Sequence, residues 1–446
     1  MKFIFIPASI AFVLATVTSS LLIVAGCWRY GGPEGVLRRA QAEWAAHQPH
    51  PEFAPTPLPL SIGAGNATQT STQAIAGAQP AKAAMATANG SVAFATVEIT
   101  APVETVAAPQ TATPAPTTTP APLHQPAAPS VELTGFSHEW QTWNNCGPAT
   151  LAMNLSYFGS TLDQAAIGAV LRQYEDDKNV NPEELVEFAA SQGYMAQQRV
   201  NGSAELMKLL LSNGIPVLIE TWHEPEPNDG MGHYRLLTGY SDADQHWIAF
   251  DSYDTHGLIN ADPNAPYRGI RLPYAETEAL WRVFNRTHLL IYKPEQAALV
   301  QSIVGDALEP AIMWQQSRQQ AATEIAANSQ DAFAWFNLGS SWLALGDYAQ
   351  SAAAYDQARQ LGLPWRMFWY QFGAFEAYLQ TGRAQEVVAL ADATIATTKS
   401  IEEIYYWRGR GLAALGDMDA ARRAWQQAIE LNPDFAEAAE LLAANP

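Results

Sequence analysis

The stretch 54–130 constrains this chain most: it is built almost wholly of Ala, Thr, Pro, Gln and Ser, with only Lys82, Glu98 and Glu104 charged. Pro-rich tracts such as Thr111 to Pro122 bury too little apolar surface to offset the ordering of their backbone. The stretch therefore reads as a disordered, semi-extended stalk, and the 446 residues divide around it. The C-terminal remainder is long enough for two buried cores at the usual ~100–200 residues per domain. The formal net charge of −20 argues against nucleic acid as a partner, because gripping phosphates takes Lys and Arg. With Cys27 and Cys146 the only cysteines, neither a disulfide-stapled scaffold nor a cysteine-built zinc site is available.

Ahead of the stalk, Phe3 to Gly26 is an uncharged apolar run. At ~1.5 Å per residue it can cross a ~30 Å hydrocarbon core. It ends Val24-Ala25-Gly26-Cys27, which resembles a bacterial lipobox. For residues 1–27 lipidation at Cys27, an uncleaved membrane anchor and a cleaved signal peptide stay open. Lys2 faces Arg29, Arg38 and Arg39 across the run, so the positive-inside bias does not choose an orientation. The stalk favours an extracytoplasmic location, tethered to the membrane or secreted if the signal is cleaved. Residues 28–53, with Trp28, Tyr30 and Trp44, read as a juxtamembrane segment. Gly63 and Gly65 have no strand before or helix after them, so they form no phosphate loop.

Order resumes near residue 131. Gln141-Thr-Trp-Asn-Asn-Cys146-Gly-Pro-Ala reads as a loop entering a helix that stops at Gly159. Asn145 can cap it, and Pro148 falls in the first turn where no donor is needed. Leu151, Leu155 and Phe158 would make a core-facing stripe. Cys146 then stands where the helix dipole and free N–H groups favour the thiolate, the nucleophilic form; the alternative is a small buried cysteine. Two strand-like runs, 233–240 and 246–251, flank the turn-rich Ser241 to Gln245, a hairpin signal. With the turn centred near Asp242 or Ala243, His233 and Asp251 share a face, opposite or one diagonal step apart. A carboxylate there can orient the imidazole to take the thiol proton. Gly230 and Gly232 would leave room for substrate backbone.

Together, Gln141…Cys146-Gly-Pro-Ala, Gly232-His233-Tyr and an aspartate at 251 resemble the papain-like cysteine peptidases of the double-glycine-leader (bacteriocin-processing) type, over residues 131–295. The resemblance implies an α+β fold with Cys146 as nucleophile and His233 as general base and then acid. It further implies Asp251 as orienter, Gln141 as side-chain donor to the oxyanion, a peptide or protein substrate, and no cofactor or metal. The chain departs from the family at Asp251-Ser252, where Asp-Pro is usual, and carries no repeated membrane spans. Helical patterns at 162–172, 181–193 and 203–213, the apolar run 215–219 and a last strand at 288–292 complete the domain. Glu175, Asp176 and Asp177, and Glu224, Glu226 and Asp229, lack calcium-loop spacing and read as solvated loops. His223-Glu224 has no second histidine at helical spacing, hence no zinc-peptidase motif.

Beyond residue 330 the chain repeats itself. Trp335…Leu338-Gly339…Trp342…Gly346-Asp347…Tyr355…Ala358 recurs 70 residues later as Tyr405…Arg408-Gly409…Leu412…Gly416-Asp417…Trp425…Ala428. Tyr378…Gly382 marks a middle copy, which fits the ~34-residue period of tetratricopeptide (TPR) repeats that these segments resemble. A partial copy lies at 310–328, and Asp434 to Ala444 would cap the array. The resemblance implies an all-α repeat domain over 296–446 whose groove binds a protein partner. These features support two function classes: a surface-tethered thiol peptidase, or an inactive peptidase-like binding and assembly protein acting through its repeats. Acyl or amide transfer on cell-wall material by the same dyad is a third.

Overall fold

The apolar run after residue 215 and the hairpin behind it become the centre of one antiparallel sheet, because their side chains are apolar on both faces and must be covered on both. The computed structural model describes residues 33, 37, 50–59, 123–172, 177–225, 227–260, 262 and 264–445. The apolar run 3–26, Cys27, Gly63, Gly65, Glu175, Asp176 and Glu226 lie outside them, as do nearly all of 28–49 and 60–122. Among the described residues no helix is long and apolar enough to cross a membrane.

The first domain runs β1 (Ser130–Glu132), α1 (Cys146–Tyr157), α2 (Gln164–Leu171), α3 (Pro182–Ser191), β2 (Met195–Arg199), α4 (Ala204–Ser212), β3 (Val217–His223), β4 (Met231–Ser241), β5 (His246–Phe250), β6 (Ile270–Pro273), α5 (Tyr274–Trp281) and β7 (His288–Tyr292). The sheet order is β2-β7-β3-β4-β5-β6, with β1 added beside β4. One face packs Leu218, Tyr234, Leu236 and Phe250 against α1 and α3. The other packs Val217, Ile219, Leu237 and Ala249 against α4. Helix α1 is buried on every side from Gly147 to Leu155, and Phe158 lies half-buried beyond its end. The expected single stripe is thus corrected to a central helix, apolar all round because it is enclosed.

Hairpin β4–β5 reaches its register by an irregularity. Near the tip Ser241 pairs with His246 and Gly239 with Ile248, but beyond a bulge at Leu237/Gly239 the partners are Leu237 with Ala249 and Leu236 with Phe250. Carried inward unchanged, the tip register would set Asp251 opposite Leu236, on the face away from His233. The extra residue turns the pairing by one position, so continuing the inner register puts Asp251 opposite Arg235 and one diagonal step from His233.

Linking helices α6 (Ala297–Val304) and α7 (Pro310–Ala327) lead to paired helices α8 (Ala332–Ala344) and α9 (Tyr348–Leu361), α10 (Gly373–Gln380) and α11 (Ala384–Ile395), α12 (Glu402–Ala414) and α13 (Met418–Leu431), capped by α14 (Ala436–Ala444). Gly339 and Gly409 let the helices of a pair touch: a Cβ there would fall 2.9 Å from the Tyr355 ring and 2.3 Å from Nε1 of Trp425. The middle pair departs from this pattern. Its first helix begins late, after a 3-10 turn at Met367–Trp369. That turn packs on the first domain, where Trp222, Val283 and Phe284 join one cluster with Phe336, Met367, Phe368 and Phe375. The boundary near 295 therefore separates sequences but not cores.

Residues 54–58 and 123–130, assigned to the stalk by composition, are held by the folded body instead. Ala54 N donates to Leu363 O at 2.9 Å. Gln125 N donates to Asn213 Oδ1 at 2.8 Å and Ala128 N to Ser212 Oγ at 3.0 Å. Backbone carries these bonds, so composition could not reveal them. Asp177 and Asp229, read as solvated, are corrected as well. Asp177 is buried, and Asp229 pairs with Arg366 at 2.6 Å.

Asp177 belongs to a group of carboxylates where α3 meets α12. Asn181, at the head of α3, donates to Glu403 in the first turn of α12 at 2.6 Å. Burial and the charge of Glu402 push Asp177 up to about 7. Burial, then the charges of Asp177 and Glu402, push Glu184 up to about 8. The folded chain thus holds protons that the unfolded chain releases above pH ~4, so stability falls as pH rises through 7–8. The unfolding free energy from urea titration is expected to be lower at pH 8.5 than at pH 6, by on the order of 1 kcal/mol or more, and Asp177→Asn with Glu184→Gln should flatten that slope. A slope unchanged in the double variant would contradict the assignment.

Candidate active site

Cys146 is the first residue of α1, and Thr150 one turn later donates its hydroxyl to Tyr234 O at 3.2 Å. This ties the cysteine helix to strand β4 beside His233. Gly147 packs beside the same strand, where a Cβ would make ordinary contact with the Tyr234 ring at 3.4 Å. Asn145 stands at the cap position but makes no capping bond. Its Nδ2 instead donates to Gln164 Oε1 at 2.9 Å. Gln164, buried on α2, also receives Thr142 N at 2.7 Å and gives its Nε2 to Trp140 O at 2.8 Å and Glu139 Oε2 at 2.9 Å. The cap expectation is corrected: a buried amide from a neighbouring helix organises loop 139–145, and Asn145 serves that network.

His233, 4% exposed, brings Nε2 to 3.0 Å from both carboxylate oxygens of Asp251. Its other nitrogen, Nδ1, is left for the thiol, and His233 and Cys146 share a hydrogen bond. Asp251 has no exposure and also accepts from Arg235 Nε at 2.9 Å and from the N–H groups of Tyr253 and Asp254 at 2.7 Å each. Arg235 in turn donates to Thr221 Oγ1 at 2.7 Å.

These contacts set the protonation pattern. Burial pushes the Cys146 thiol up, but the hydrogen bond and charge of His233, with the N–H groups of Tyr234 and Gly147, outweigh it and leave the thiol below its usual value. Burial lowers His233, but the charge and hydrogen bond of Asp251 and the bond to Cys146 raise it to about 9. Burial would raise Asp251, yet His233 and Arg235 hold it well below the carboxylate range. His223, with its ring 5.5 Å from that of His233, is lowered to about 4 by burial and by the charges of His233 and Arg235, so it stays neutral. His138 is likewise lowered to about 4 by burial; as a neutral ring it gives Nε2–H to Asp251 O at 2.8 Å.

Gln141 is placed by Ser252. Its N–H donates to Ser252 O at 2.9 Å and its Oε1 accepts from Ser252 Oγ at 2.8 Å, which leaves the amide Nε2 as the donor end. Gln141, Cys146, His233 and Asp251 are thereby gathered at one end of the sheet. Gly230 and Gly232 leave no room for substrate. A Cβ on Gly230 would fall 2.0 Å from Nε1 of Trp222, and one on Gly232 3.1 Å from the Tyr370 ring, so this chain's own aromatics fill that space. Trp365 Nε1 donates to Asn228 O at 2.9 Å and Arg366 Nη1 to Gly230 O at 3.2 Å, so the turn from the helical repeats buttresses the approach to His233. Among the described residues no cluster of three or more His, Cys, Asp or Glu is arranged to hold a metal ion.

Sequence reasoning missed Arg235, although its spacing of two from His233 on one strand put it on the same face. It also missed Gln164, for which there was no local signal, and Tyr370, whose sign was the degenerate middle repeat.

Residues 131–281 match the Peptidase_C39-like family. Residues 402–435 match a tetratricopeptide repeat. No curated protein matches the chain. Among solved structures, the peptidase domain of Streptococcus ComA, a bi-functional ABC transporter involved in a quorum-sensing pathway, is 15% identical with TM-score 0.27, covering 36% of this chain and 99% of that one. Xylellain, a cysteine protease from Xylella fastidiosa, is 13% identical with TM-score 0.28, covering 37% and 87%. MamA from Desulfovibrio magneticus RS-1 is 17% identical with TM-score 0.28, covering 34% and 83%. The chain thus carries a Peptidase_C39-like region followed by TPR-type helices.

A thiolate held by an imidazolium reacts with alkylating agents below the pH at which ordinary thiols do. Iodoacetamide labelling of Cys146 is expected to reach its plateau at a lower pH than labelling of a free thiol does, because His233 holds the thiol below its usual value. Asp251→Asn removes the charge that raises His233, so labelling at pH 7 should slow about tenfold or more. Labelling that climbs with pH like a free thiol would contradict the ion pair.

Proposed function

We propose that the chain is a thiol peptidase in which Cys146 attacks the carbonyl carbon of a peptide bond. The single observation that carries this reading is the hydrogen-bonded line Cys146–His233–Asp251. The sulfur forms the new bond to carbon, and the carbonyl electron pair moves onto oxygen, where the Cys146 N–H and Gln141 Nε2 are the candidate donors. As the tetrahedral adduct collapses, the C–N bond breaks and the imidazolium of His233 gives its proton to the leaving amine. Water, deprotonated by His233, then attacks the thioester; the C–S bond breaks, the acid leaves, and the Cys146 thiolate and His233 imidazolium are restored. Asp251 holds the ring by Nε2 throughout, and Arg235 holds Asp251.

In this proposal the repeats recruit a protein partner or the substrate itself, as TPR arrays do. Tethering through residues 1–27 is also part of it and is supported by the apolar run, with the extracytoplasmic side supported by the composition of the stalk. The test is to incubate the full chain and its Cys146→Ala form with a diverse peptide library and read the products by mass. Cleavage by the parent only is expected; cleavage by both forms or by neither removes the enzyme reading and leaves a binding protein. Gln141→Ala should lower kcat by ~10²–10³-fold with little change in KM, the usual effect of losing one oxyanion donor.

A further inference from the structure

Residues 51–58, Pro-Glu-Phe-Ala-Pro-Thr-Pro-Leu, lie extended against the helical repeats. Phe53 bridges antiparallel to Pro364, and Ala54 N donates to Leu363 O at 2.9 Å. Beyond this point the contact is made by a buried ion pair, Arg359 on α9 and Glu386 on α11, 2.7 Å apart and 1% and 4% exposed. Arg359 spends Nη1 on Glu386 and on the Tyr378 hydroxyl, but gives Nε to Pro55 O at 2.9 Å and Nη2 to Thr56 O at 3.2 Å. Glu386 accepts Leu58 N through its second oxygen at 2.8 Å. A guanidinium and a carboxylate withdrawn from water need every donor and acceptor matched, and here peptide backbone completes both.

What the site reads is therefore main chain. It offers two acceptors, Leu363 O and Glu386, for the N–H groups of Ala54 and Leu58, and two donors for consecutive carbonyls at Pro55 and Thr56. Only Ala54 is buried, at 4% exposure; Leu58 is 43% exposed, and Phe53, 51% exposed, rests part of its ring against Gly362 in the turn after α9. Pro51, Pro55 and Pro57 bring no N–H that would need a partner, and they pre-set an extended chain, which lowers the ordering cost. We infer that the ends of α9 and α11, with the turn after α9, form a peptide site for an extended, proline-punctuated segment carrying a small residue at its buried position. In this chain the site is filled in cis by residues 51–58, and a partner bearing such a segment binds by displacing them. The inference deepens the partner-binding reading of the repeats and does not depend on the thiol chemistry.

The test uses the full chain in detergent, with a specific-protease recognition sequence inserted between residues 60 and 120. Before cutting, the tethered segment competes at high effective concentration, and a labelled synthetic peptide of residues 50–59 should not be taken up. After cutting, the N-terminal fragment should stay associated with residues 123–446, and excess peptide should release it. The same peptide with Ala54→Leu, or with an N-methyl group on Leu58 that removes the donor to Glu386, should compete about tenfold less well or worse. Fragments that part on cutting, fragments that ignore the peptide, equal competition by the altered peptides, or uptake by the uncut chain would each overturn the inference. A peptidase assay on the same samples reports separately on Cys146, so failure of one reading leaves the other distinguishable.

Discussion

Asp251 carries its charge without exposure to solvent, and removing a carboxylate from water costs several kcal/mol unless donors and countercharges replace the lost hydration. His233, Arg235 and the N–H groups of Tyr253 and Asp254 do so. Each replacement imposes a condition on the fold. The bulge at Leu237/Gly239 must be present, or Asp251 turns to the wrong face. The chain after β5 must bend back to aim two amides, and that bend brings Ser252 onto Gln141. Helix α1 must meet β4 at Thr150 and Gly147 for the sulfur to lie within reach of the imidazole. The carboxylate thus fixes the positions of groups far beyond its own contacts.

The middle helical pair shows how two domains come to share one core. By the 35-residue spacing its first helix should begin as early as those of the outer pairs, but Met367–Trp369 form a 3-10 turn instead. Shortening the helix frees Trp365, Arg366 and Tyr370 to reach Asn228, Asp229, Gly230 and Gly232. Arg282 pairs with Asp331 and Arg286 with Glu324 from the first domain to the helical region, and Glu278 within the first domain also holds Arg286. A junction this apolar and this densely paired makes rigid attachment the expectation rather than free swinging.

Much of this was legible in the sequence, for identifiable reasons. The cysteine helix, the hairpin, strand β7 and the outer repeats announce themselves through period and turn chemistry, which act locally. Strand β2, Met-Ala-Gln-Gln-Arg, did not, because it is an edge strand held by backbone pairing to β7 and needs little apolar content. The nearness of His233 and Asp251 was anticipated from a turn centred near Asp242 or Ala243; the inner pairs of the hairpin are centred on Ala243, but the tip pairs are not, and the bulge that reconciles them is in no alternation pattern. Gln164 and Tyr370 act across long sequence separations, and single-chain patterns are blind to such partners. The glycines before His233 were misread because small size was taken as space for a ligand rather than for Trp222 and Tyr370.

Docking of residues 51–58 changes what the Pro/Ala/Thr-rich run does mechanically. The chain is fastened to the body at Leu58 and again at Gln125. Residues added to or removed from the stretch between these two points leave the number of residues ahead of the first fastening unaltered. Letting go of the segment at Arg359 and Glu386 would move the first fastening from Leu58 to Gln125 in a single step, adding every intervening residue to the N-terminal arm.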